Sequence, residues 1–451
     1  MALLTDDQKM LQETAASFLA EQGGINKQLR HWRDIGCSDG FGHGLWREFA
    51  SLGLSGICIP ESEGGLGLGA TEAALVLEEI GRNLTPSPFL TTSVVAARAL
   101  EGSEHARRWY PGILSGDAVL AVAIDETPFH QPEQTALEAK RQGNGFMLKG
   151  TKEFVIQGAS ADMIVTAART NGSRGDPDGI TLFAVPKQAS GLKIENLGLV
   201  DSSRAARLTF DNVELDADAV IGEVDQGWAR LQPALNAGTA GAASELVGVA
   251  SGALGMTLDY LRNRKQFGKL IGEFQALQHR AAHLHVEIEI ARALAMKSAE
   301  LLDAGDAQSA LYVSAAKAKA AGVANLAVRE GVQIHGGIGM TDEHDIGLFM
   351  KREAVLGQVF GDLYGHRERV AALSGYKPLL LNPPMTPRIN AVITASCTFP
   401  SGSLQPKYMP PQPTNTTNMA IAIPPTMREP PGTGEELTGS CPLSLNKVNR
   451  L

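Results

Sequence analysis

Hydrophobic residues recur at helical spacing along the first hundred residues: Leu4, Met10 and Leu11, Thr14 and Phe18, then Leu45, Phe49, Leu52 and Leu54. Thr5 followed by Asp6 and Asp7 reads as an N-cap with an acidic first turn. A further helix is predicted over Thr71 to Gly81, with Ala73, Ala74, Leu77 and Ile80 on one face; Gly81 is read as its stop, with Pro86 and Pro88 keeping it stopped. Near Ser115 the period changes. Short alternating or β-branched runs follow, VLAVAI (119–124), FMLKGTKEFVI (146–156), DMIVTAA (162–168), ITLFAVP (180–186) and ARLTFDNVEL (206–215), separated by Gly, Asn and Asp turns. With no helical pattern between them, these runs predict an antiparallel β domain and argue against a Rossmann fold.

From about Trp228 the helical period returns. Leu246, Ala250, Ala253, Thr257 and Leu261 form one stripe. Leu277, Ala281, Leu284, Ile288, Ala291, Ala295, Ser298 and Leu302 form a second, and Val313, Ala316, Ala320, Val323, Ala327 and Ile334 a third. Steps of three and four with alanine along the seam predict a closely packed up-and-down bundle. Its fourth element, Asp342 to Leu373, is interrupted by Gly357, Gly361 and Gly365. Beyond Lys377 the periodicity ends, and fourteen of the chain's 23 prolines lie there. Such a segment cannot bury enough apolar surface to offset its ordering entropy, so disorder is expected. The expected fold is α+β and multidomain: an N-terminal helical domain (1–115), a middle antiparallel β domain (116–226), a C-terminal four-helix bundle (227–376) and a disordered Pro-rich tail (377–451).

Composition narrows the function. With 20% charged residues and a net charge of -9, nothing in the electrostatics calls for nucleic acid or an anionic membrane as partner. No apolar run approaches the roughly 18 residues of a membrane span. The first residues lack the basic start and apolar core of a secretory signal, so the cytoplasm is expected. Cysteines at 37, 58, 397 and 441 form no CxxC pair and no ligand spacing. His279 and His283 stand four apart on a helix, but Arg280 occupies the place where a zinc-protease motif needs Glu, so no metal is expected. The Gly-rich turn Gly64 to Gly69 fits no phosphate-loop pattern.

Two stretches remain. RNRKQFGKLIGEFQALQ (262–278) is a polar corner between two apolar helices, presenting Arg264, Gln266, Phe267, Phe274 and Gln275. EGVQIHGGIGMT (330–341) is a helix running into Gly336, Gly337 and Gly339, where missing side chains allow a ligand or another backbone to come close. Together they offer a guanidinium fork, an amide side chain and open backbone amides, which suit a pyrophosphate.

These two motifs, preceded by WREFASLGLSGICIPESEGGLGLG with LVLEEIGR, and by LTFDNVELDADAVIGEVDQGW, resemble the acyl-CoA dehydrogenase family of flavoproteins over residues 1 to about 376. The resemblance implies FAD held across a subunit interface, with Arg264, Gln266, Phe267, Ile271, Phe274 and Gln275 reaching the neighbour's FAD, and Gln333, Gly336 and Gly337 at its adenosine and pyrophosphate. Phe154 and Ile156 fall where the family's Trp-x-Thr segment lies against the flavin, so an aromatic wall is kept and the threonine hydroxyl is lost. It further implies removal of an acyl-CoA α-proton by a carboxylate, with the β-hydrogen leaving as hydride.

The family's carboxylate is missing. Its usual position is Gly361 and its alternative position, on the first bundle helix, is Gly238. Asp362, one residue on, is the candidate base, with a helix N-cap as its competing role. Glu245 shares a helix face with Gly238 but lies about 10 Å further along, and reads as structural. A base from a partner chain is the remaining option, since the motifs are most similar to the smaller subunits of heteromeric acyl-CoA dehydrogenases of the pimeloyl-CoA or steroid side-chain type. The expected function is FAD-dependent α,β-dehydrogenation of an acyl-CoA thioester with electrons passed to an electron-transfer flavoprotein, by a homo-oligomer or heteromer. The alternatives are a non-catalytic FAD-pocket subunit and a flavin-dependent oxidase or hydroxylase on the same fold.

Overall fold

The computed structural model describes residues 4–376, so the Pro-rich tail expected from 377 lies outside the described residues. Six α-helices open the chain: α1 Asp6–Gln22, α2 His31–Asp34, α3 His43–Ser51, α4 Ala70–Asn83, α5 Ala97–Leu100 and α6 Glu104–Ser115. α1 starts where its sequence says it should. The Thr5 hydroxyl accepts the Gln8 N–H and the Gln8 side chain accepts the Thr5 N–H, a reciprocal capping box.

Gly81 does not stop α4. The helix runs to Asn83 and ends at Leu84 in a left-handed conformation. Gly81 is instead a crossing point with α7 (Trp228–Asn263): a Cβ there would stand 2.0 Å from the Glu245 carbonyl oxygen. Gly248 on α7 mirrors it, since its Cβ would stand 1.9 Å from the Glu78 carbonyl oxygen. Two glycines facing each other's backbones let the helices approach more closely than any side chain would allow.

The middle of the chain forms an eight-stranded sheet: β1 Leu120–Ala123, β2 Glu138–Gln142, β3 Gly145–Ile156, β4 Met163–Arg169, β5 Ile180–Pro186, β6 Leu192–Gly198, β7 Arg204–Leu215 and β8 Val220–Ile221. Its order is β6-β7-β3-β2-β4-β5-β8, antiparallel except that β1 and the end of β2 run parallel to β4. β2 and β6 carry no clear sequence signal. EAKRQ buries only Ala139, and β6 is a half-exposed edge strand. A register shift between Lys152 and Val155 bulges β3 and leaves Phe154 at φ 52.

α7, α8 (Gln275–Asp303), α9 (Ser309–His335) and the pair α10 (Ile346–Leu356) and α11 (Leu363–Leu373) make the bundle. The fourth element breaks between Gly357 and Asp362, whereas Gly365 lies inside the first turn of α11 and interrupts nothing. One continuous core joins Phe49, Leu77 and Phe89 of the N-terminal helices to Ala243, Leu284, Val323 and Phe349 of the bundle. Ion pairs add to it: Arg292 meets Glu78 at 2.9 Å, and Arg30 meets Asp345 at 2.6 Å. Among the described residues no helix is long and apolar enough to cross a membrane.

Candidate functional site

The polar corner is a tight hairpin. Lys265–Gln266 pairs with Lys269–Leu270 around Phe267 and Gly268, both at positive φ, the geometry a two-residue turn requires. Phe267 is 91% exposed, Arg264, Gln266 and Gln275 are exposed, and Phe274 is half-buried with the Lys269 ammonium 4.2 Å from its ring centre. Ile271 differs from the others. It is buried with Leu261 and Ala281 and seats the hairpin on the bundle. Ile334, of the second motif, packs against the same small cluster, and the Tyr260 hydroxyl donates to the His335 carbonyl oxygen at 3.4 Å. The fold therefore brings the two motifs to one end of the bundle. There Gln333, Gly336 and Gly337 are exposed, and a Cβ at either glycine would meet nothing within 4 Å.

The wall is elsewhere. Phe154 and Ile156, both half-buried, line a cavity of about 30 Å³ with Thr91, Val95, Val122, Ile124, Asp125, Glu153, Val359 and Phe360. A neighbouring cavity of about 50 Å³ shares Thr91, Ile156 and Val359 and reaches Glu245 and Arg352. None of the corner residues lines either space. The wall suits the edge of a flat, mostly apolar ring: aromatic and aliphatic side chains face it, with the Thr91 hydroxyl and the Asp125 carboxylate at its margin. Each cavity holds no more than a water or two.

The two glycines that the resemblance sets at base positions both border Phe360. A Cβ at Gly238 would stand 2.9 Å from the Phe360 ring and 2.6 Å from Val95. Gly361 follows Phe360 at φ +106, and its Cβ would stand 2.9 Å from His366 Nε2 and 3.6 Å from His130 Cδ2. Phe360 thus fills the space that a side chain at Gly238 would enter, and His366 and His130 border the space beside Gly361. Asp362 is a helix cap: its Oδ1 accepts the Gly365 N–H at 2.7 Å, at the start of α11. That is the competing role expected for it, and it engages one of the two carboxylate oxygens with the backbone.

The break that carries Phe360 and Gly361 is held from two sides. The fully buried Lys317 donates to the Gly357 carbonyl oxygen at 3.0 Å and to that of Gly361 at 2.7 Å. Burial pulls its ammonium down to about 7, against the opposing pull of Asp362 and Glu353. Burial, with Lys317 adding to it, pushes His366 down to about 3, so its imidazole is neutral and Nε2 donates to the Phe360 carbonyl oxygen at 2.9 Å. Glu245 is 2% exposed and accepts from Arg352 Nε at 3.0 Å, while Arg352 also meets Asp201 at 2.9 Å. Burial works against the Arg352 charge, but Glu245 and Asp201 outweigh it and hold the guanidinium above its ordinary value. Glu245 is therefore tied into a buried network, as its structural reading expects.

Sequence reasoning missed one pair. In the loop after β1, His130 Nδ1 lies 3.0 Å from Asp125 Oδ2, and the His130 ring meets Phe360 edge-on at 6.2 Å between centres. The loop TPFHQPEQ has no period, so only an Asp and a His five residues apart hinted at it. Among the described residues no group of three His, Cys, Asp or Glu is placed to hold a metal ion.

Comparison with known proteins gives the same frame. Residues 5–117, 129–213 and 225–372 match the N-terminal, middle and C-terminal domains of acyl-CoA dehydrogenase, in that order. Acyl-CoA dehydrogenase FadE12 of Mycobacterium tuberculosis is 30% identical over 359 residues, 77% of this chain and 90% of the relative. Cyclohex-1-ene-1-carbonyl-CoA dehydrogenase of Geobacter metallireducens is 33% identical over 321 residues, 69% of this chain and 84% of the relative. Among solved structures, a variant of the Tcur3481-Tcur3483 steroid ACAD matches with a TM-score of 0.74 at 30% identity, covering 82% of this chain and 98% of that one. With three domains matched in order and relatives matched over most of their length, the chain belongs to the acyl-CoA dehydrogenase family, oxidoreductases acting on CH-CH groups.

Proposed function

We propose that this chain dehydrogenates an acyl-CoA thioester between its α and β carbons in the cytoplasm, with electrons passed to an electron-transfer flavoprotein and FAD shared between two subunits. The observation that carries this reading is the separation of the two halves of the site. An exposed arm with ligand-binding chemistry sits at one bundle end, and none of its residues lines the wall of its own chain. Arg264, Gln266, Phe267, Phe274 and Gln275 would hold the diphosphate and adenine end of a neighbour's FAD, with Gln333 and the open amides of Gly336 and Gly337 beside them. Phe154 and Ile156 would support the ring end, and Ile271 acts by anchoring the arm. The smallness of the two cavities at the Phe154–Ile156 wall supports the same division.

FAD, when bound, supplies the acceptor for the β-hydrogen as hydride. The chain's own contribution is to exclude water and fix the thioester against the wall. Val95, Val122, Val359 and Phe360 make that region apolar, which strengthens any hydrogen bond to the developing enolate. Lys317 and the neutral His366 hold the Phe360–Gly361 backbone in place.

A second reading is favoured by the base positions. With Gly361 and Gly238 lacking carboxylates and Asp362 used as a cap, the chain could instead build the FAD pocket of a partner that carries the base. A steroid enzyme named for two chains is among its structural relatives. Purifying the chain with and without co-purifying subunits, recording its flavin spectrum and adding acyl-CoAs of varied length and bulk separates the two. Bleaching by a thioester in the chain alone is the outcome of the first reading. Bound flavin that bleaches only with a second subunit present is the outcome of the second, and absence of flavin in every preparation sinks both.

A further inference from the structure

We propose that the Asp125–His130 pair is the proton acceptor of this chain, His130 being the catalytic base and Asp125 the residue that positions it. The assignment deepens the reading of the chain as an acyl-CoA dehydrogenase active in its own right, and rests on it.

Proton removal needs a basic atom that is free, oriented and next to the reacting carbon. His130 Nδ1 lies 3.1 and 3.0 Å from the two oxygens of Asp125, which fixes Nδ1 as the protonated nitrogen and leaves the Nε2 lone pair available. Nε2 has no hydrogen-bond partner among the described residues and is absent from the fully enclosed unpartnered atoms there, although the side chain is only 10% exposed. Its neighbour Cδ2 stands 3.6 Å from where a Gly361 side chain would begin. The ring therefore comes, from another strand's loop, to the Gly361 position and to the Phe360 ring, which Gly238 of α7 also borders. Asp125 itself lines the cavity with Phe154, Ile156 and Phe360.

The loop is built, not draped. The Asp125 carbonyl oxygen accepts the Glu153 N–H at 2.7 Å. The fully buried Lys152 donates to the Ile124 carbonyl oxygen at 2.7 Å and to Glu126 at 2.9 Å, and Glu126 in turn accepts from the Ala136 and Leu137 N–H groups. A buried ion pair thus clamps both ends of the segment that carries the dyad. The titratable groups near His130 are Asp125 on its own loop and His366 on α11, and Lys317 and Arg369 act in turn on His366.

The step balances. His130 Nε2 takes the α-proton and the α C–H electron pair becomes the new carbon-carbon π bond; bound FAD would supply the acceptor for the β-hydrogen with its electron pair. The imidazolium then releases its proton to water.

The test uses the flavin-loaded protein in the assembly it forms, and two readouts. One is the rate of flavin bleaching by an acyl-CoA; the other is α-proton exchange into deuterated buffer from 3,3-dimethylbutyryl-CoA, which has no β-hydrogen to lose. His130→Gln should slow both by about 100-fold or more, with flavin content and unfolding midpoint unchanged. His130→Asn, shorter and less able to disturb packing, should do the same. Asp125→Asn should slow exchange about tenfold, with Asp125→Glu recovering part of it. Wild-type bleaching that His130→Gln and His130→Asn leave within threefold overturns the dyad while the dehydrogenase reading stands. A wild-type protein that neither bleaches nor exchanges with any thioester fails that reading, and the dyad falls with it.

Discussion

The hairpin at Lys265–Leu270 and the break at Gly357–Asp362 are both short, glycine-containing and set in the same bundle, yet they are built in opposite ways. The hairpin projects Phe267 almost fully into solvent and is fixed to its own chain through one buried side chain, Ile271. The break is enclosed by Lys317, His366, His130 and Phe360, with its carbonyl oxygens bonded from two directions. Surface of the first kind has little to do for the fold and much to offer another molecule. Residues of the second kind are committed to the fold before any ligand arrives. On the resemblance, the hairpin carries the motif expected for FAD binding, whereas the break carries Gly361 where a carboxylate is expected.

Substitutions should respect that division. The largest expected effect is at the inner side, where Arg352→Met leaves Glu245 and Asp201 buried without a counter-charge. Unfolding in denaturant should show a loss of about 3–5 kcal/mol. A loss below ~1 kcal/mol would mean that the network does not hold the wall together. Next comes Gly361→Ala. At φ +106 with His366 Nε2 only 2.9 Å from the new methyl, it should cost about 1–3 kcal/mol. The same strain explains why restoring a family-like Gly361→Glu should not restore a working base.

A third prediction concerns pH. Lys317 is held at about 7 in the folded chain against an ordinary lysine value of ~10.4, so between those values the unfolded chain binds the extra proton. Stability should therefore rise with pH from about 7 upward, by at most ~1.4 kcal/mol per unit. His366, lowered to about 3, has the same sign at lower pH: stability should fall as the pH drops below the ordinary imidazole value of ~6.5. Measuring unfolding free energy at about pH 7.5 and 8.5 for the wild type and Lys317→Met tests the first window. An equal slope in both proteins would remove Lys317 as its source.

Much of this was legible in the sequence wherever one residue's meaning depended on its near neighbours. The bundle seams, the Thr5 cap, the five hydrophobic strands and the hairpin corner all follow from local spacing. What was not legible depended on contacts across the chain. Gly81 reads as a stop from its own neighbours, and only Glu245 on the other helix shows it to be a crossing. β2 and β6 take their strand form from β3 and β7, since their own side chains are mostly polar and exposed. The meeting of Gly238 and His130 at the Phe360 ring joins three distant segments, and no spacing rule connects them.

The smallest effect on stability should come from the hairpin, and it is the most informative for the comparison. Arg264→Ala and Phe267→Ser remove side chains that are exposed, and Phe267 is 91% so, hence unfolding free energy should stay within ~0.5 kcal/mol of the wild type. If the arm serves a neighbour's FAD, the same variants should nevertheless retain flavin poorly, about tenfold or more below the wild type after gel filtration, because a guanidinium fork on a diphosphate contributes roughly 1.5–3 kcal/mol. Ile271→Ala should behave differently: it opens the buried seat under the hairpin and should lower both stability, by about 2 kcal/mol, and flavin retention. Full flavin retention in Arg264→Ala and Phe267→Ser would make the arm an ordinary surface loop, and the contrast between the two glycine-containing segments would lose its functional meaning.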